Sequence, residues 1–548
     1  MMFRHLPLAA AALLLTTLTP TATLTPTAAA APDTAPCPGD RLRVPGAERT
    51  VAACLRDLTT AGTVASGHTD PADWAGLVAP GTRNPSGVPG VQLDGYFPDS
   101  STTNGTHGWD HDSQFVIRLP ERWNGGLVVA GPPGVREQYA NDRTIADHVL
   151  ARGYAFAATD KGNTGPTLYR DGKRPGDAIA EWHRRLTQLT VAAKSVAARH
   201  YGRAPRRTYA AGMSMGGYLV RWQLENVPWL YDGGLDWEGV LLTRRSPNLL
   251  ATLPPALRAY PRLLAGEPGA REALRAAGYP PESEPLWETH HRTQWDTFQR
   301  LVREEVDPGY DGATEAGTPF CREGTGKGCD TDYDYAARPR AVHDTLGRLS
   351  LTGRVQRPLV TLHGTLDALV PIGPGSDRYA RLVAQAHRGH KHRYYRVTGG
   401  NHTDGLYGAH PRLVRPMLPC VRDAFDALTA WAEDGTAPPR SRTVPRPDGD
   451  LLALTGKSFD EITKRIPGVA KASADDRLNL RHPGPELVVE SGHPREDQID
   501  RHHVVEQAWH DQDQQPGDER DERALPLEHH QHSPAAFRRR DERSGGCG

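Results

Sequence analysis

A serine between two spaced glycines, an aspartate on a turn after a strand and a histidine on a glycine-rich loop are the residues of this chain best suited to covalent chemistry. The serine is Ser214, in Gly212-Met213-Ser214-Met215-Gly216-Gly217. A short strand (208–211, TYAA) precedes it, and a helical stretch follows to about Pro228. On so sharp a turn, side chains two residues either side of the serine would collide with the adjoining strand and helix, which glycine avoids. The turn lifts the hydroxyl above the sheet. It also aims the Met215 N–H, at the start of the helix, at a developing oxyanion. A serine hydroxyl is a weak nucleophile and needs a base within hydrogen-bond reach. His402, in VTGGNHT, lies on a loop that can carry an imidazole to the serine. Asp367, in LVTLHGTLDALVP, lies on the turn after another strand and is suited to orient that imidazole. Asp377 is the rival acid and reads as an early-helix residue; Asp367 has an alternative reading as a turn or cap residue. His410 is the rival base, and His363 reads as a packing residue at a strand end.

The groups around this trio come from the elements that must position it. The apolar run 127–131 (LVVAG) reads as a buried parallel strand, and 154–159 (YAFAAT) as another. Helical character over 144–152 lies between them, which suggests βαβ units. A strand over 115–120 precedes them. Ile179, Trp182, Leu186, Leu189, Ala193, Val196 and Ala197 recur at helical spacing, and Gly202 ends that helix. Further strands are expected at 240–243, 359–362 and 394–397. The alternation predicts an α/β fold, a mostly parallel sheet with helices on both faces. A second oxyanion donor is expected from the loop after 127–131. Pro132 and Pro133 have no N–H to give, so Gly134 or Val135 must supply it. Arg244 and Arg245, after the strand expected at 240–243, would lie at the sheet's carboxyl edge, where a guanidinium could hold a substrate carboxylate. Their alternative reading is a surface salt bridge.

The 548 residues carry a net charge of −1, with 37% hydrophobic and 24% charged residues. That balance favours neither nucleic acid nor an anionic membrane surface as a partner. Residues 1–31 read as a secretory signal peptide: Arg4 and His5, then an apolar run, then small residues before Pro32. The run is too short to span a membrane. A secreted protein with no membrane partner after signal cleavage is therefore expected. The cysteines suit an oxidising compartment. Cys37 with Cys54 and Cys321 with Cys329 are the expected disulfides. Cys420 reads as a buried free thiol, and no cysteine spacing makes a zinc site. The catalytic unit is divided into 37–245 and 346–445. Residues 246–345, rich in Pro, Arg and Glu, break the strand–helix rhythm and read as an inserted cap over the sheet's carboxyl edge. Residues 446–548, rich in His, Asp, Arg and Gln, read as a disordered tail.

The glycine–serine elbow and HGTLDALVP resemble the corresponding stretches of the α/β-hydrolase superfamily, across roughly residues 110–435. That resemblance implies an α/β-hydrolase fold in which Ser214, Asp367 and His402 form a triad in chain order. More narrowly, RHYGRAPRRTY (199–209) and Tyr231-Asp232-Gly233 look like the flanks of the elbow in tannase and feruloyl-esterase-like proteins, which hydrolyse esters of phenolic acids. That family commonly joins a Cys before the serine to a Cys after the histidine; here the positions are Met213 and Thr403, so no such bridge is expected. ATDKG (158–162) resembles a stretch in secreted hydroxybutyrate-oligomer hydrolases. The function expected is a secreted serine esterase acting on small or aryl esters. Alternatives are a hydroxybutyrate-oligomer hydrolase, a serine peptidase on the same fold, and a binding protein that kept the scaffold. The partner is a small or oligomeric ester, and no metal or organic cofactor is expected.

Overall fold

In the computed structural model, residues 37–245, 247–310, 330–447 and 451 are described. Ten strands among them form one sheet: β1 (Arg49–Leu55), β2 (Gly90–Tyr96), β3 (Gln114–Pro120), β4 (Gly126–Gly131), β5 (Ala155–Thr159), β6 (Arg207–Met213), β7 (Gly233–Trp237), β8 (Leu359–Gly364), β9 (His392–Val397) and β10 (Arg442–Val444). The strand order is β1-β2-β3-β5-β4-β6-β7-β8-β9-β10. From β5 to β10 every neighbouring pair is parallel, while β1, β2 and β3 add an antiparallel flank.

The parallel strands are buried on both faces, which explains their continuous apolar sequences. Along β4, Leu127 and Val129 enter one apolar core while Val128 and Ala130 enter the other. The helices that cover them are α1 (Thr60–Ala65), α2 (Asp147–Ala151), α3 (Asp177–Tyr201), α4 (Met215–Asn226), α5 (Leu249–Leu264), α6 (Ala270–Ala276), α7 (Glu284–His290), α8 (Asp296–Val306), α9 (Arg340–Arg348), α10 (Arg378–Gln385) and α11 (Leu418–Asp434). Helix α3 buries the predicted Ile179–Trp182–Leu186–Leu189 face and ends at Gly202, whose φ of +70° suits glycine. Phe425 and Leu428 of α11 belong to the opposite core.

One expected strand is replaced by another. Residues 240–243 are not in the sheet; the strand is β7, seven residues earlier in chain order. Its first two positions are Gly233 and Gly234. A Cβ on Gly234 would lie 2.7 Å from Val220 Cγ1 and 2.8 Å from Leu224 Cδ1 of α4. Close helix–sheet packing therefore requires glycine at the start of this strand. After Trp237 the chain turns at Glu238, with φ of +54°, and leaves the sheet. Val240 N–H then donates to Ser214 O at 3.2 Å, so the apolar run covers the elbow instead.

The disulfide Cys37–Cys54 ties the start of the described chain to β1. Cys420 is a buried free thiol. Cys321 and Cys329, the expected signal peptide 1–31 and nearly all of 446–548 lie outside the described residues. Helices α5 to α9 occupy the region expected as the cap. Leu253, Trp295 and Val302 there share one apolar core with the sheet and α3. No helix among the described residues is long and apolar enough to cross a membrane.

Candidate active site

Ser214 sits between β6 and α4 with φ of +57° and ψ of −118°, a conformation that L side chains rarely adopt. The glycines around it are sterically required. A Cβ on Gly212 would lie 2.4 Å from Gly216 C, and one on Gly216 would lie 2.3 Å from Gly131 O at the end of β4. The strain is held from both sides: Ser214 N–H donates to Trp237 O at 2.9 Å, and Ser214 O accepts from Tyr218 N–H at 3.0 Å. Strain of this kind persists where the surroundings over-determine it, commonly at functional sites.

His402 Nε2 lies 2.9 Å from Ser214 Oγ, and His402 Nδ1 lies 2.8 Å from Asp367 Oδ2. All three residues are buried, Asp367 completely. The other Asp367 oxygen accepts the N–H groups of Leu369 at 2.9 Å and Val370 at 2.8 Å. Burial alone would raise the Asp367 carboxyl, but His402 and His363 more than offset it and hold it well below the usual carboxylate range. With Asp367 ionised, His402 carries its proton on Nδ1 and presents Nε2 to the serine as an acceptor. That is the arrangement a general base needs.

A parallel sheet, a strained serine on the turn from β6 to α4, and an acid and a histidine after β8 and β9 occur here together. The fold is that of an α/β-hydrolase. The tannase and feruloyl esterase family model matches residues 103–235, which hold Ser214. The 3HB-oligomer hydrolase family model matches residues 310–477, which hold Asp367 and His402. D-(-)-3-hydroxybutyrate oligomer hydrolase of Azoarcus sp. (strain BH72) is 32% identical over 158 residues, covering 26% of this chain and 22% of that protein. Mono(2-hydroxyethyl) terephthalate hydrolase of Piscinibacter sakaiensis is 29% identical over 143 residues, 24% of each chain. The matched stretch thus spans under a quarter of these curated relatives. Among solved structures, feruloyl esterase B from Aspergillus oryzae aligns with a TM-score of 0.45 at 14% identity, covering 73% of this chain and 90% of that one.

The remaining expected site residues divide. Met215 opens α4, so its N–H has no acceptor within the helix. Met215 also lines, with Ser214, Val240, Leu249, Phe298, Leu369 and Val370, a narrow void that leaves no room for a water molecule. Gly134 has φ of +55° and packs on Phe298, which lines that void. The carbonyl of the neighbouring Val135 accepts from Gly165 N–H at 3.0 Å. The structure does not bring Arg244 and Arg245 to the serine. Both are exposed, and Arg244 pairs with Asp344 of α9. They follow a loop, not a strand, so the premise that placed them at the sheet edge fails. Asp377 is engaged elsewhere, by Tyr394 Oη at 2.8 Å and Arg396 at 3.4 Å.

Two residues were not foreseen in their places. His363 is more than strand-end packing: its Nε2 lies 3.1 Å from Asp367 Oδ2 and its Nδ1 lies 2.7 Å from Ser376 Oγ. Glu238 is fully buried, with Oε2 3.7 Å from His402 Nδ1. Burial, then the charge of Asp367, push its carboxyl well above the usual range. Glu238, Asp367 and His402 offer ligand atoms within 4.8 Å of one another, as do Asp99, Asp171 and Glu181. In the first set the Asp367–His402 bond already occupies the facing atoms. In the second, Arg185 meets Asp99 at 2.9 Å and Glu181 at 2.7 Å, so the acidic charge is answered by the chain itself.

The inserted helices contact the loops that carry the trio. Trp295 Nε1 donates to Ala368 O at 2.6 Å, beside the acid. His290 Nε2 lies 3.3 Å from Asn401 Oδ1, beside His402.

Proposed function

We propose that this chain is a secreted serine carboxylic ester hydrolase that works through an acyl-enzyme on Ser214. The observation that carries the reading is the continuous bond path from Ser214 Oγ through His402 to Asp367, at 2.9 Å and 2.8 Å. His402 Nε2 takes the serine proton as Oγ attacks the ester carbonyl. Asp367 fixes the imidazole tautomer and stabilises the imidazolium that forms. The Met215 N–H, with a second amide from Gly134 or Val135, holds the tetrahedral oxyanion. His402 returns the proton to the departing alcohol, and water repeats the sequence to free the acid. The disulfide Cys37–Cys54 supports an oxidising compartment and hence export.

The acyl group is read from the walls of the closed void beside Ser214, which must part to admit a substrate. Its walls are Met215, Val240, Leu249, Phe298, Leu369 and Val370, with no polar side chain other than the nucleophile. A buried phenolic hydroxyl would lack a side-chain partner there, at a cost of about 1–3 kcal/mol. Apolar acyl groups suit these walls better than polyhydroxylated aryl acids. The tannase and feruloyl esterase match keeps aryl esters in contention, and the 3HB-oligomer hydrolase match over 310–477 favours hydroxyacid esters as a second reading.

The test is hydrolysis of acetyl, butyryl, hydroxybutyryl, feruloyl and galloyl esters and one peptide anilide by wild type and Ser214→Ala. The reading predicts ester cleavage that falls by about 10⁶ in kcat when the serine is removed. Cleavage of the anilide alone would make the chain a peptidase. No cleavage of any substrate would leave a binding scaffold.

A further inference from the structure

Two carboxyl groups, from neighbouring parallel strands, converge on one nitrogen of His402. Asp367 follows β8 and lies 2.8 Å from Nδ1 through Oδ2. Glu238 follows β7 and approaches the same nitrogen through Oε2 at 3.7 Å. A triad needs one acid, so the second requires an account.

Glu238 is not a chance neighbour. Its φ of +54° is a conformation that costs an L residue energy. Its backbone is fixed, since its N–H donates to Leu362 O at 2.8 Å. One carboxyl oxygen is anchored: Oε1 accepts Gly364 N–H at 2.8 Å. A Cβ on Gly364 would lie 2.3 Å from Gly400 C and 2.8 Å from that oxygen, so glycine there accommodates both the Gly400 backbone and the glutamate. The other oxygen, Oε2, is buried without a hydrogen-bond partner among the described residues. An unpartnered buried carboxyl oxygen costs free energy, and such groups call for an explanation.

We propose that Glu238 is a second positioning acid for His402, able to take the place of Asp367 on Nδ1. The inference rests on Ser214 and His402 being nucleophile and base. In the intact site Asp367 holds Nδ1. Glu238, raised by burial and by the Asp367 charge, keeps its proton and faces the imidazole as a neutral group. Without Asp367 the adjacent anion is gone. Glu238 then gives up its proton more readily, and a movement of under about 1 Å brings Oε2 within hydrogen-bond reach of Nδ1–H. The other charged groups facing Glu238 are engaged elsewhere. Asp236 is paired with Arg221 at 2.7 Å, and Asp404 accepts the N–H groups of Met417 at 2.6 Å and Leu418 at 2.8 Å. His363 faces Asp367, 3.1 Å away.

The experiment compares kcat from pH 5 to 9 for wild type, Asp367→Ala, Asp367→Ala/Glu238→Gln and Ser214→Ala, on an ester that wild type cleaves. Where nothing replaces a triad acid, its loss costs about 10⁴ in kcat. Here Asp367→Ala should lose only about 10², with activity climbing towards alkaline pH as Glu238 ionises. The double variant should fall by a further factor of about 10² and lose that climb. Asp367→Asn, measured alongside, covers the case in which the alanine variant fails to fold. There too, adding Glu238→Gln should lower kcat further and remove the alkaline climb. Equal activity and equal pH profiles for the single and double variants would overturn the proposal while leaving the esterase reading intact. Undiminished hydrolysis by Ser214→Ala would instead remove the reading on which it rests.

Discussion

Replacing Gly216 by alanine tests whether the elbow works by close approach. The added methyl would lie 2.3 Å from Gly131 O, 3.2 Å from Gly131 C and 3.4 Å from Pro132 O. Carbon and oxygen in ordinary contact stand about 1 Å further apart than the first of these distances. Neither partner can yield cheaply. Gly131 is the last residue of β4, paired in register with Gly212 of β6, and Gly216 is in the first turn of α4. The variant must therefore push the serine turn and the loop beginning at Pro132 apart by about 1 Å. Overpacking of this kind costs about 1–3 kcal/mol of stability. Displacing an oxyanion donor by about 1 Å costs roughly 10² in rate. The expectation is a folded Gly216→Ala protein, melting a few degrees lower, with kcat for a small ester reduced about 10²-fold. Gly389→Ala is the control, because a Cβ there meets nothing within 4 Å. A Gly216→Ala enzyme with wild-type kcat would refute the steric argument for the elbow.

Other consequences are open to measurement. Cys54→Ser should lower stability by about 3 kcal/mol, since the Cys37–Cys54 bridge closes a loop with a sequence separation of 17; denaturant unfolding with and without reductant reads this. Asp142→Asn should cost about 3–5 kcal/mol, because it strands the fully buried guanidinium of Arg118, which Asp142 grips at 2.7 Å through both oxygens; chemical denaturation measures the loss. His183, buried beside Tyr218 Oη at 2.8 Å and pushed down to about 3 by burial and then by Arg184, stays neutral in the folded protein. The unfolded chain takes up the proton below about pH 6.5, so stability falls as pH falls through that window. Wild type should lose about 2 kcal/mol more than His183→Gln between pH 6.5 and 5, and equal losses would contradict this.

Much of the site was legible because its constraints are local. Gly212 and Gly216 are forced by contacts within a few residues of Ser214, so the pentapeptide carries its own explanation. Asp367 and His402 each follow a strand whose apolar run is unmistakable, and the structure brings them together. The sequence misled where packing from a distance decides. Gly233 and Gly234 hide the start of β7 because glycine is a weak strand signal, and the helices that demand them, α4 and α11, press on them from elsewhere in the chain. Val240 to Thr243 look like a strand because they are apolar, yet their burial comes from covering the elbow. That one shift hid Glu238, which stood ahead of a strand in the sequence reading and stands behind one in the fold. The same shift set Arg244 and Arg245 at a sheet edge they do not occupy. The antiparallel strands β1 and β2 were missed for a related reason: β1 is half-exposed, and only pairing with β2 makes its short alternation a strand.

The central claim is that Ser214 is a nucleophile activated by His402 and Asp367, and covalent capture tests it most directly. Wild-type protein would be treated with a serine-directed alkyl phosphonate, digested and mapped by mass spectrometry. The account predicts one phosphonyl group, on the peptide holding Gly212 to Gly217. It also predicts much slower labelling of His402→Ala and none at that peptide in Ser214→Ala. Absence of labelling, or labelling at another residue with Ser214 untouched, would contradict it.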